Sequence, residues 1–266
     1  MWRENALARK KFYDDACMHA WHSSKFYDDP NLSRRFLFSR RRDLVLKLIN
    51  ASKISGSRFL DVGCADGYYV ITTERMDADL SVGIDISVRF LKRARDLAKL
   101  EKSPNASFIC ADAENLPFRD KIFDLTLLSE VLEHCPNPSK AIQEFWRVSK
   151  ITCILSIPTG ESFLWVKIIK KFGRFSGIKK EEAGHLYDIS FQEAMKMVKE
   201  LDSEILGING AVAFYWTLLT YPICQVKHFS KVLARLIAGL IPFDVFICRK
   251  FPVVSGTVFF WIKRIH

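Results

Sequence analysis

From residue 58 onward, short apolar runs alternate with amphipathic stretches, and this alternation limits the fold more than any other feature of the chain. Residues 58–62, 80–84, 106–110, 122–128 and 151–157 predict strands. Residues 68–76, 87–100 and 139–148 predict the helices between them. In 87–100, Phe90, Leu91, Ala94, Leu97 and Ala98 recur at helical spacing, and Ser87 fits the N-cap. A strand–helix–strand alternation of this kind implies parallel strands with helices on both faces. Right-handed crossovers then give an α/β fold with a doubly wound, mostly parallel sheet. Residues 205–214 and 257–265 supply a sixth and a seventh strand as an antiparallel pair.

Ligands of such sheets bind beyond the carboxyl ends of the strands, near the point where strand order reverses. The loops there carry the chemistry. After the first strand comes Asp61-Val62-Gly63-Cys64-Ala65-Asp66-Gly67-Tyr68. Its two glycines bracket a tight turn in which backbone can approach a ligand closely, and a helix N-terminus follows with unpaired N–H groups. The second strand ends at Gly83-Ile84-Asp85-Ile86-Ser87, and an acid there suits the two hydroxyls of a ribose. The third ends at Cys110-Ala111-Asp112-Ala113-Glu114. Asp112 can accept from an exocyclic amine, with the Ala113 N–H beside it. Together these turns predict a nucleotide-type ligand.

These residues resemble the class I S-adenosylmethionine-dependent methyltransferases, in the broad small-molecule and lipid group that includes the quinone C-methylases. The resemblance runs over about residues 58–200. It includes the stretch Ala111–Phe118, the segment Ser129-Glu130-Val131-Leu132-Glu133-His134, and Ser156-Ile157-Pro158 after the fifth strand. It implies a seven-stranded Rossmann-like sheet and S-adenosyl-L-methionine as cofactor. It also implies site roles: Asp61, Gly63, Cys64, Ala65, Gly67 and Tyr68 around the methionine part, Asp85 and Ile86 at the ribose, Asp112 and Ala113 at the adenine, and Ser129 and Glu130 lining the cofactor. Ala65 stands where the family has its middle glycine; alanine fits there if φ is negative.

The sulfonium is already an activated electrophile, so a base is needed only where the acceptor must lose a proton. Glu130, Glu133, His134, His185 and Tyr187 are the candidates, with His134 best placed just after strand four. His185 falls in a segment that covers the acceptor pocket in the family. A second reading uses the same side chains. Glu130, Glu133, His134 and His185 resemble the metal-binding set of the small-RNA ribose 2′-O-methyltransferases. A third keeps the fold as a non-catalytic interaction module. The first reading is preferred, with no metal and no nucleic-acid partner.

Charge divides the chain. Residues 1–58 carry 13 Lys/Arg against 6 Asp/Glu, residues 59–214 carry 20 against 23, and residues 215–266 carry 7 against 1. Residues 1–57 read as an N-terminal helical cap and 58–266 as the methyltransferase-like domain. The triplet Arg40-Arg41-Arg42 reads as a solvated face. An insertion at 215–252 contains an amphipathic stretch, 228–241, that suits a lid, a dimer contact or an anionic membrane surface. The seven cysteines form no C-x-x-C pair, so reduced thiols and a cytoplasmic location, peripheral on the inner membrane face, are expected. The expected partner is a small-molecule or lipid-like acceptor, and a homodimer is compatible with the insertion.

Overall fold

The computed structural model describes residues 6–18, 32–159, 186–211 and 241–265. A seven-stranded sheet in the order β3-β2-β1-β4-β5-β7-β6 forms its centre. The strands are β1 (Arg58–Val62), β2 (Leu80–Asp85), β3 (Ala106–Cys110), β4 (Phe123–Ser129), β5 (Ser149–Pro158), β6 (Ser203–Gly210) and β7 (Thr257–Arg264). β1 pairs in parallel with both β2 and β4, and β7 runs antiparallel to both β5 and β6. The doubly wound α/β sheet expected from the alternation is therefore present. The expected sixth strand begins two residues earlier, at Ser203. Its last expected residues, 212–214, lie outside the described residues, as do 19–31, 160–185 and 212–240.

The helices are α1 (Ala6–Met18), α2 (Leu32–Ala51), α3 (Tyr68–Glu74), α4 (Val88–Leu100), α5 (Pro138–Val148), α6 (Phe191–Lys199) and α7 (Ile241–Lys250). Local chemistry sets several of their starts. Ser87 caps α4 by accepting from the Phe90 N–H, as its position predicts. Asn137 caps α5 by accepting from the Lys140 N–H, with Pro138 in the first turn. Ser190 and Glu193 form a reciprocal capping box on α6.

Residues of the central strands β1, β4 and β5 are buried on both faces, as a sheet sandwiched by helices requires, whereas the edge strands β3 and β6 are partly exposed. On one face Leu60, Val62, Leu128 and Leu155 pack with Phe145 and Trp146 of α5. On the other, Phe59, Leu125, Leu127 and Ile154 pack against Leu44, Val45, Leu48 and Ile49 of α2. So α2 shares a core with the sheet, although it precedes the first strand.

The α7 rings of Phe243 and Phe246 are exposed. The amphipathic stretch 228–241 lies, but for Ile241, outside the described residues. No helix among the described residues is long and apolar enough to cross a membrane.

The turn between β1 and α3 departs from the sequence reading at one residue. The Gly63 and Cys64 N–H groups both donate to the Ile84 carbonyl, at 2.9 and 2.8 Å, and Gly67 N–H donates to the Cys64 carbonyl at 2.8 Å. These bonds wind the turn so that Gly63, Ala65 and Gly67 have φ of 77°, 46° and 79°. The negative φ expected for Ala65 is not what the chain adopts. A left-handed alanine costs roughly 1–2 kcal/mol, of which glycine's greater freedom when unfolded offsets about 0.5–1. Ala65→Gly should therefore raise unfolding free energy by about 0.5–1 kcal/mol in urea titrations. An unchanged or lower value would mean that the turn holds alanine without strain.

Candidate functional site

The switch point lies between β1 and β4, where the strand order reverses, and a cavity of about 470 Å3 opens there. That volume lies within the range of small-molecule sites, about 300–1,000 Å3. Every strand end from β1 to β5 contributes to its wall. Gly63 and Ala65 come from the β1 turn, Asp85 and Ile86 from β2, Asp112 and Ala113 from β3, Ser129 and Glu130 from β4, and Pro158 from β5. Glu133 and His134 enter on the short helical turn Leu132–His134 that follows β4.

Other residues of the expected site fall elsewhere. Asp61, Cys64, Gly67 and Tyr68 do not line the cavity. Asp61 and Cys64 are buried, and Cys64 packs with Val70, Leu91 and Phe108. Gly67 serves packing: a β-carbon there would lie 2.6 Å from the Phe108 ring. Tyr69 lines the cavity instead of Tyr68, because the helix turns the following residue inward. Gly63 does both jobs, since it lines the cavity and its own β-carbon would lie 2.4 Å from Val131. His185 lies outside the described residues. Tyr187 points its hydroxyl at the Pro136 carbonyl, 2.8 Å away, and takes no part in the wall.

The acids of the wall are held in different ways. Asp85 accepts the Ala65 N–H at 3.0 Å on one oxygen and the Ser87 N–H at 2.8 Å on the other. Burial nevertheless pushes its carboxyl up to about 6, against these backbone donors. Each oxygen retains a lone pair for a further donor. Asp112 accepts the Glu114 N–H at 3.0 Å and pairs with Arg9 Nη2 at 2.8 Å. Glu130 has a φ of 57° and pairs with Arg41, which also donates to Thr257 Oγ1. Burial raises the Glu130 carboxyl and Arg41 opposes the rise. Asp61, beneath the turn, is pushed up to about 8 by burial and by the nearby Asp85 and Asp66.

Glu133 differs from the rest. Its side chain is 1% exposed, and among the described residues neither carboxyl oxygen has a hydrogen-bond partner. The His134 Nε2 stands 3.7 Å from Oε1. Burial, and then the charge of Glu130, raise the Glu133 carboxyl well above its ordinary range. Its backbone carbonyl, by contrast, accepts from Leu186 at 2.7 Å and Tyr187 at 3.3 Å. The backbone thus organises the loop, and the carboxyl is left to the cavity. Among the described residues, no group of three or more His, Cys, Asp or Glu is placed to hold a metal ion.

Sequence reasoning expects the N-terminal helices to roof the pocket but singles out none of the residues they bring to it. Arg9 and Tyr13 of α1 and Phe38 and Arg41 of α2 all line the cavity. Tyr13 meets the His134 ring edge-on at 5.8 Å. Arg41 belongs to a triplet expected to face solvent, yet its side chain is only 19% exposed. The physical reason is the buried Glu130, whose charge draws a cation inward; that acid lies 89 residues away and leaves no local signal.

Comparison with known proteins agrees with this geometry. Residues 60–157 match the model of a methyltransferase domain family. An uncharacterised protein of Methanocaldococcus jannaschii is 31% identical over 153 residues, covering 56% of this chain and 65% of that protein. A ubiquinone biosynthesis O-methyltransferase of Paraburkholderia phymatum is 32% identical over 135 residues, 50% of this chain and 54% of the relative. The chain thus spans less than two thirds of the length of either relative. The crystal structure of the magnesium protoporphyrin IX methyltransferase of Synechocystis, with bound S-adenosylhomocysteine, superposes with a TM-score of 0.66 at 16% identity. It covers 96% of this chain and 98% of its own, and so shares the fold. Fold, strand-end loops and family match converge: residues 60–157 match a methyltransferase domain, within a sheet whose fold a solved methyltransferase shares.

Proposed function

We propose that this chain binds S-adenosylmethionine in the strand-end cavity and transfers its methyl group to a small-molecule or lipid-like acceptor. One observation carries the reading: Gly63, Asp85, Asp112 and Ala113, from three successive strand ends, meet around a single cavity. The residues fit the cofactor chemically. Gly63 brings bare backbone to the cavity wall, Asp85 keeps lone pairs for ribose hydroxyls, and Asp112 with Ala113 pairs an acceptor with a backbone donor. When bound, the cofactor supplies a methyl group on a sulfonium. The chain supplies orientation, exclusion of water and, where needed, a proton acceptor.

The remaining wall suits an acceptor with an apolar body. Tyr13, Phe38, Tyr69, Val131 and Pro158 line it. Glu133, with His134 beside it, takes the proton of an acceptor hydroxyl or amine. A carboxyl held neutral by burial ionises more readily once a cation shares its cavity. Tyr13 fixes the His134 ring from the edge. A metal-dependent ribose methylation is not favoured, because Glu130 is committed to Arg41 rather than open to a cation.

The direct test is calorimetry of the full chain with S-adenosylhomocysteine. One site per chain is expected, and Asp85→Ala should weaken it by roughly 1–3 kcal/mol, because the ribose hydroxyls lose a buried acceptor. The ligand needs Asp85 ionised. With its carboxyl near 6, affinity should be flat above about pH 7 and fall below 6 by up to about tenfold per pH unit. An affinity indifferent to both the substitution and pH would remove the assignment of Asp85.

Glu133 has a separate signature. The native chain keeps a proton on it that the unfolded chain releases near pH 4.3, so this group lowers stability as pH rises from there through its folded value. Glu133→Gln should therefore gain stability relative to the parent between about pH 5 and 8, read as urea midpoints. A variant that loses stability across that range would mark Glu133 as a structural residue.

A further inference from the structure

We propose that the outward side of α7 and the turn after it, Pro252–Val254, form a docking surface for an anionic lipid membrane. Phe243, Phe246, Phe251 and Val253 enter the lipid, and Arg249 and Lys250 meet its headgroups. The proposal extends the lipid-like acceptor of the reading above, and its test needs neither cofactor nor acceptor.

Among the described side chains, every exposed phenylalanine lies in this segment: Phe243 at 55%, Phe246 at 56% and Phe251 at 49%. Val253, two residues further on, is 46% exposed. Single exposed apolar residues are ordinary, whereas a cluster of them marks a contact with something other than water. The helix turns a different side inward. Cys248 is fully buried. Phe243 and Phe246 lie about 140–160° around the helix from Cys248, at about 100° per residue. Lys250 falls on their side, and Arg249 stands about 60° from Phe246. Both cations are exposed. The turn packs against α7, which keeps Phe251 and Val253 beside it.

Charge selects lipid over a protein partner. Residues 215–266 carry 7 Lys/Arg against one acid, Asp244. The apolar centre of a protein interface is poor in lysine. Rings interleaved with cations instead match a bilayer surface, where rings sink to the acyl boundary and cations stay at the phosphates. The place of the patch fits as well. The turn leads into β7, whose first residue, Thr257, pairs with Pro158 and accepts from Arg41, two residues of the cavity wall. Only four residues separate Val253 from Thr257, so their Cα atoms lie within about 14 Å. That connection is tied to the end of β5: Thr159 donates its N–H to the Gly256 carbonyl at 2.9 Å and its hydroxyl to the Ser255 carbonyl at 3.1 Å. A membrane gripped by α7 therefore lies close to the rim of the cavity, on the side where an acceptor dissolved in lipid would arrive.

Co-sedimentation of the full chain with phosphatidylcholine vesicles, with and without phosphatidylserine, tests this. The parent chain should pellet with the anionic vesicles and bind the neutral ones about tenfold more weakly. Phe243→Ser combined with Phe246→Ser should weaken anionic binding about tenfold. Arg249→Glu combined with Lys250→Glu should do the same. The control is Lys92→Glu combined with Lys99→Glu, an equal charge change at exposed positions of α4, which packs on β3 at the far edge of the sheet from α7. It should bind as the parent does. Circular dichroism and melting temperature confirm that each variant folds, and the Arg249 and Lys250 pair carries the test if the phenylalanine pair does not fold. Equal losses in the control and the patch variants would mean attraction by net charge alone. Undiminished binding of the phenylalanine variant would remove the rings from the contact. Either result overturns the proposal, as does a parent chain that stays in the supernatant. A parent dimer that the phenylalanine substitutions split, without vesicle binding, would give the surface to a second copy of the chain and overturn it too. S-adenosylhomocysteine calorimetry judges the cofactor reading separately from all of these outcomes.

Discussion

Four carboxylates, Asp85, Asp112, Glu130 and Glu133, crowd one cavity at the carboxyl edge of the sheet, and the site depends on how their desolvation and mutual repulsion are met. Each solution is different. Backbone N–H groups of the neighbouring turns hold Asp85. A guanidinium from α1 holds Asp112, and one from α2 holds Glu130. Among the described residues, only the imidazole of His134, 3.7 Å away, stands near the Glu133 carboxyl as a counter-charge. Isolated buried charge is costly, so the balance favours a neutral Glu133 while the cavity contains only water. A ligand that brings both hydroxyl donors and positive charge would complete this wall, and that combination is the electrostatic argument for a sulfonium nucleoside.

The same interactions explain why the N-terminal helices belong to the site. Three strand-end loops each receive a side chain from them: Asp14 meets the loop after β2, Arg9 the loop after β3, and Arg41 the loop after β4. α2 is also fixed by the core it shares with β1 and β4. Positions of the cofactor loops and of residues 6–51 are therefore coupled through ion pairs in a low-dielectric setting, where such pairs are strong if geometry is good and costly if one partner is lost.

Much of this was legible in the sequence, for local reasons. Strands β1 to β5 announce themselves as apolar runs of the right length, and the acids Asp85 and Asp112 stand at their ends, where topology sends them to one rim. Ser87 reads as a cap because capping needs only a hydroxyl three residues before an N–H. What escaped was non-local or conformational. Arg9 and Arg41 answer charges 103 and 89 residues away, and no periodicity reports that. Gly67 and Gly63 look alike in sequence, yet one makes room for Phe108 and the other also faces the cavity. The sign of φ at Ala65 follows from the hydrogen bonds of the turn to Ile84, which alanine itself does not encode.

The central claim is that one ligand is gripped at once by three strand ends and by α1. Amide hydrogen exchange of the full chain, with and without S-adenosylhomocysteine, tests it most directly. Slower exchange on ligand addition is predicted together at residues 63–67, 85–88, 111–115 and 6–18, with little change at β6 and β7. Protection confined to one of these segments, or spread evenly over the sheet, would contradict the account.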